Sequence, residues 1–191
     1  MNTVSQYLIQ QTTIALLPFD AADGSLHSLV IEEDGRLCCS RSPLQIMQAS
    51  CIYFGSTYSG RKRSAKDMGF KSMPPICVCN ELGIFFFPVM AESRRDCAWM
   101  AHAHVLEWED EDKRTVQVKL SNQQLLSVYG KATTFGNKVM RTAHYRLQLN
   151  GRIAGGRPVS PSAVYEDAQV CKLKLNAHGT YMMDDWESSG D

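Results

Sequence analysis

The sequence predicts an α+β fold: a β-rich single domain with a few short helices and a weakly structured C-terminal tail. Three observations carry this. Short alternating apolar runs, separated by turn signals such as Asp34-Gly35 and Asn80-Glu81-Leu82-Gly83, recur through the first two thirds of the chain. Two segments, one after Ser42 and one after Thr134, instead repeat their apolar residues at helical spacing. Beyond Gly155-Gly156-Arg157-Pro158 large apolar residues thin out, which divides the chain into a domain at 1–155 and a tail at 156–191 that is regulatory or partly disordered.

The elements follow in order. Gln6 to Leu17 is rich in β-branched and apolar residues and reads as a strand that stops at Pro18. A turn at Ala21 to Gly24 precedes an alternating strand, Leu26 to Glu32, which Asp34-Gly35 folds back into Arg36 to Ser40. Ser42-Pro43 is a helix start, a hydroxyl cap followed by proline at the first helical position, with Leu44, Met47 and Cys51 on one face and Gly55 at the end. Ser56 to Gly69 reads as a second short helix, although Gly60 disfavours it. Pro75 to Met90 is a hairpin whose second strand ends at Pro88, and Ala98 to Glu109 reads as one long strand. Val116 to Leu120 and Leu125 to Tyr129 pair around Ser121-Asn122-Gln123. The last helix begins at Phe135 under a Thr133 or Thr134 cap; Phe135, Val139, Met140, Ala143 and Leu147 fill one arc of its wheel, but Arg146 falls within that arc, so the helix is expected to end near Tyr145.

Composition narrows the function. The 191 residues, 44% hydrophobic, suit a chain with a substantial core, and no apolar run is long enough to span a bilayer. With no Lys or Arg before Arg36, no secretory leader is expected, the location is read as cytoplasmic, and the seven cysteines are read as reduced thiols. The formal charge balances at 20 basic and 20 acidic residues, yet the cations are segregated. Arg36 to Lys71 holds seven cations against Asp67 alone, and Lys113 to Tyr165 holds nine with no acid. A polyanion responds to local potential within a Debye length of about 8–10 Å, so zero net charge does not exclude nucleic acid. Cations scattered over separate solvated faces are the plainer account of the same tally.

The run Ser50 to Arg63, SCIYFGSTYSGRKR, breaks at Gly55, turns through small hydroxyl residues and delivers Arg61, Lys62 and Arg63 in succession. With TIALLP (13–18), PLQIM (43–47), PPICV (74–78), FFFP (85–88), CAWMAHAHV (97–105) and VMRTAHYR (139–146), it resembles the ComK family of competence transcription factors over roughly residues 7 to 150. The resemblance implies a DNA-binding transcriptional activator of DNA-uptake genes. It also implies minor-groove binding at A/T-rich promoter boxes and self-association on double-stranded DNA. A further implied partner is an adaptor of a Clp-type protease, which reads a short hydrophobic motif near the C-terminus. Here the tail departs from the family: the Phe-Met-Leu-Tyr/Phe-Pro-Lys motif is missing, and Tyr181-Met182-Met183 is the nearest substitute. No enzyme activity, metal or cofactor is implied.

The candidate DNA-binding residues rest on charge and expected exposure within the matched region. Arg61, Lys62, Arg63, Lys66 and Lys71 form the first group, because Lys and Arg release condensed counterions when they neutralise phosphates. Lys138, Arg141 and Tyr145, on one helical face, form the second, with Lys131 at the helix entry and Arg94 and Arg95 in a loop as additions. Tyr53, Phe54 and Tyr58 are candidate base-step wedges, though such aromatics more often belong to a core. Cys77, Cys79, His102 and His104 form two alternate-spaced pairs that pose a zinc question, but structural zinc pairs usually sit on turns. No phosphate-binding glycine loop or catalytic signature is present. A second reading is a protein-interaction or sensor module of the same fold without strong DNA binding. The two readings part on whether the cations of 61–71 and 131–146 share a face.

Overall fold

The computed structural model describes residues 3–155, with the backbone of two further strand segments at 173–175 and 181–183. The chain falls into two units, Met1–Gly155 and Gly156–Asp191. Within the second, Leu173–Leu175 pairs antiparallel with Tyr181–Met183. The expectation of a regulatory or partly disordered tail otherwise lies outside the described residues.

A seven-stranded sheet organises the first unit. Its strands are β1 (Thr3–Val4), β2 (Thr13–Asp20), β3 (Leu26–Glu32), β4 (Arg36–Cys39), β5 (Ile76–Cys79), β6 (Ile84–Pro88) and β7 (Trp99–Ala101), in the order β1-β4-β3-β2-β7-β6-β5. Only the β1–β4 pairing is parallel. A three-stranded meander of β8 (Val105–Asp110), β9 (Thr115–Leu120) and β10 (Leu125–Tyr129) forms a second sheet. The helices are α1 (Pro43–Tyr53), α2 (Tyr58–Asp67) and α3 (Ala132–Gly155).

Strand alternation sends side chains to two cores. Leu16, Val30, Phe86 and Trp99 join Ile46, Met47 and Cys51 of α1 in one cluster. Ala15, Ile31, Phe87 and Met100 join Val116, Val118 and Val128 of the meander, and Phe135 of α3, in another. A smaller cluster at the β5 end takes Ala65 and Met68 from α2, Cys77 and Phe85 from the sheet, and Tyr145 from α3. Since Tyr58, at the start of α2, packs instead with the α1 cluster, α2 crosses the outer edge at β5 and covers a strand that would otherwise expose its ladder.

Local signals explain most boundaries. Ser42 and Gln45 form a reciprocal capping box, with Pro43 in the first turn of α1. Gly55 leaves α1 at φ +73, a left-handed conformation that glycine adopts without cost. Thr57 caps α2 by accepting the Gly60 amide at 3.0 Å, and a Cβ at Gly60 would lie 2.9 Å from that same oxygen. The glycine that disfavours a helix in the sequence thus makes room for the helix cap.

Four expectations are corrected. The first long strand starts at Thr13, not Gln6, because Tyr7 and Ile9 are buried by a loop: the Tyr7 hydroxyl donates to Glu32 at 2.7 Å and the Ile9 amide to Ser50 Oγ at 2.9 Å. Pro18 does not stop β2, since β7 pairs only with Ala15 and Leu16 and leaves the far side of Pro18 unpaired. Ala98 to Glu109 is two strands in two sheets, joined by a 3-10 turn at His102–His104. Finally, α3 neither starts at Phe135 nor ends near Tyr145; Asp110 caps it by accepting the Ala132 amide at 2.7 Å, and it runs on to Gly155.

Candidate nucleic-acid interface

On α2, Tyr58, Ala65 and the following Met68 turn inward, leaving Ser59, Gly60, Arg63, Lys66 and Asp67 on the solvent side. Arg63 and Lys66 are therefore exposed, as is Lys71 just beyond the helix, and none pairs with a carboxylate among the described residues. The other two cations of the cluster are engaged. Lys62 is ion-paired to Glu92, whose carboxylate also accepts the Tyr58 hydroxyl. Arg61 is half-buried, with its Nε buried and lacking a partner. Burial pushes the Cys51 thiol up to about 11 and the Cys77 thiol up to about 12, and the Arg61 charge pulls the other way at both.

The α3 candidates separate likewise. Tyr145 is 1% exposed and sits edge-on to Phe70 and Phe85, so the expected surface position is wrong. Burial raises its hydroxyl to about 12. Lys138 is also buried, and burial followed by the Arg141 charge holds its ammonium below the usual lysine range. The buried stripe of α3 is Phe135, Lys138, Val139, Thr142 and Tyr145, with Leu149 packed beyond it, whereas Met140 and Leu147 are 65% and 72% exposed. Thr142 is comfortable there because its hydroxyl donates to the Lys138 carbonyl at 2.7 Å.

Arg141 links α3 to the segment that leaves α2. Its guanidinium donates to the Ser72 carbonyl at 2.7 Å and stands over the Phe70 ring at 6.0 Å, beside Lys71 in sequence. His144, exposed on the next turn, meets the same ring edge-on. Phe70 to Ser72, the segment leaving α2, is thus in direct contact with α3. Lys131 is exposed at the entry to α3. Arg94 is held by Asp96 at 2.8 and 2.9 Å, and Arg95 by Asp20 and the Gly24 carbonyl. Ending the helix early also left out Arg146, which stands over Phe85, and the exposed Arg152. Their signal was the continued run of good helix formers past Tyr145.

Of the aromatic wedge candidates, Tyr53 is 66% exposed, Phe54 is half-buried and Tyr58 is core. The zinc question has a geometric answer for these residues. A bulge between Cys77 and Cys79 sends them to different clusters, and His104 is fixed between the Ser121 hydroxyl and the Gln11 carbonyl, each at 2.7 Å. Among the described residues no three His, Cys, Asp or Glu side chains converge as a metal site. Nor is any helix among them long and apolar enough to cross a membrane.

These features define a β-rich α+β protein in which the cations without a carboxylate partner among the described residues lie mainly on and beside helices α2 and α3. The chain belongs to the ComK family: the family profile described as ComK protein matches residues 4–154. It is also 34% identical over 151 residues, 78% of each chain, to the competence transcription factor of Bacillus subtilis (strain 168). That membership makes it a transcription factor of the competence class. No solved structure matches it.

Proposed function

We propose that the protein activates competence genes by binding A/T-rich double-stranded DNA through the minor groove, in more than one copy. The supporting observation is the Arg141 contact with Phe70 and Ser72, which brings the segment carrying Lys71 against α3. The contact set is Arg63, Lys66, Lys71 and Arg141, with Lys131 at its margin. Arg61, Lys62, Arg94, Arg95, Lys138 and Tyr145 support or surround this surface instead.

The physical case is electrostatic. Phosphate neutralisation supplies the sequence-independent affinity, and the narrow, electronegative groove of A/T tracts favours arginine. Groove width would then carry much of the selectivity, and protomers on spaced boxes would gain affinity through effective concentration. The setting is cytoplasmic. Control by a Clp-type protease adaptor would act through the tail at 156–191.

The test is fluorescence anisotropy with a duplex carrying two spaced A/T tracts, against a G/C-rich duplex, over a salt series. Neutralising about five phosphates predicts a log–log salt slope of roughly −4 to −5, with tighter binding to the A/T duplex. Absence of binding at low salt would favour the interaction-module reading of the same fold.

A further inference from the structure

Lys138 leaves the second turn of α3 beneath a groove of about 600 Å³. Met73, Val89, Met90, Tyr129 and Phe135 supply its large apolar and aromatic side chains, and a neighbouring groove of about 650 Å³ shares Met73, Thr134 and Lys138. The lysine is only 9% exposed, and its ammonium makes no ion pair or hydrogen bond with any described residue. Lys138 lines both grooves.

The charge balance around it is simple. Arg94 and Asp96, also on the wall, neutralise each other through two hydrogen bonds. Lys138 therefore adds one uncompensated positive charge to a largely apolar cleft. The first turn of α3, whose Thr134 lines both grooves, already carries the Asp110 carboxylate on its Ala132 amide, so the groove's net charge rests on Lys138. An ammonium deprived of water gains most from an anion that enters beside it. Duplex phosphates meet side chains that stand out from a surface, and Lys138 does not. The apolar wall also suits a hydrocarbon body better than a polyanion.

We propose that this groove binds a small organic carboxylate with an apolar body, its head paired with Lys138 and its body against Met73, Met90 and Phe135. The site adjoins the proposed DNA surface, since Arg141 lines the neighbouring groove that shares Lys138. It gives the protein a means of sensing a small molecule.

The test is isothermal calorimetry of the full chain with decanoate as the probe, below its micelle concentration. Saturable binding of one decanoate per chain is expected, weakened about tenfold or more by Lys138→Met and unchanged by Lys113→Met, a change at an exposed lysine outside both grooves. Acetate and decanol, which each lack half of the recognised chemistry, should bind at least about tenfold more weakly than decanoate. Should Lys138→Met fail to fold, Ala91→Trp, a change at an exposed residue of the wall, must abolish binding by filling the groove. Undiminished binding in either folded variant would overturn the proposal. So would no decanoate binding at all, or inorganic phosphate binding as tightly as decanoate.

Discussion

The Lys62 ammonium is paired with the Glu92 carboxylate, which ties the first half of α2 to the loop after β6. The neighbouring Arg63 is exposed and has no such partner among the described residues. On the proposed DNA surface these two adjacent cations have different tasks. Lys62→Ala should lower stability by roughly 1 kcal/mol and barely alter the salt slope of DNA binding. Arg63→Ala should leave stability within about 0.5 kcal/mol and reduce the slope by about 1. Urea unfolding and anisotropy on the same preparations check both, and the reverse pattern would exchange the two roles.

Tyr145 behaves as a core residue in this account. Tyr145→Ala removes a ring packed on Phe70 and Phe85 and should cost about 3–5 kcal/mol. Tyr145→Phe keeps the ring and should cost about 1 kcal/mol, with DNA affinity unchanged. A loss of affinity in the folded Phe variant would return the hydroxyl to the interface.

Stability should fall at alkaline pH. Burial raises Cys97 and Cys51 to about 11, and Cys77 and Tyr145 to about 12, from ordinary values of 9.0 and 10.0. The unfolded chain therefore loses these protons first, and stability present below pH 9 is lost as pH rises toward 12. Denaturant midpoints at pH 8 and 10.5 should differ, and Tyr145→Phe should narrow the gap. An equal midpoint at both values would contradict the burial of these groups.

His104 is a structural tie between three segments. The Gln11 carbonyl can only accept, so Nε2 carries the hydrogen, and Nδ1 of a neutral ring accepts the Ser121 hydroxyl. His104→Ala should cost roughly 2–3 kcal/mol. Dialysis of the parent protein against a chelator should leave its unfolding midpoint unmoved, and a drop would revive the metal question at Cys77, Cys79, His102 and His104.

Much of this fold is legible locally. Ser42, Pro43 and Gln45 announce α1, and the Asp34-Gly35 and Asn80-to-Gly83 turns announce their hairpins. The interface is less legible because it depends on contacts distant in sequence. Arg95 is removed from the pool of free cations by Asp20, 75 residues away, and Lys62 by Glu92, 30 residues away. On α3, a helical wheel weighted by apolarity buries Met140 and Leu147, which are exposed, and exposes Tyr145, which is buried. The true stripe includes Lys138 and Thr142, whose polar groups are accommodated by an open groove and by a backbone carbonyl. Nothing in a wheel distinguishes those from solvent-facing polar residues.

The central claim, that the exposed cations on and beside α2 carry DNA binding, is tested most directly by the salt slope of the Arg63→Ala/Lys66→Ala/Lys71→Ala variant on the A/T-tract duplex. The account predicts a slope reduced from roughly −4 to −5 to about −2, with an unchanged unfolding midpoint. A slope equal to that of the parent protein would contradict it and remove this surface from the interface.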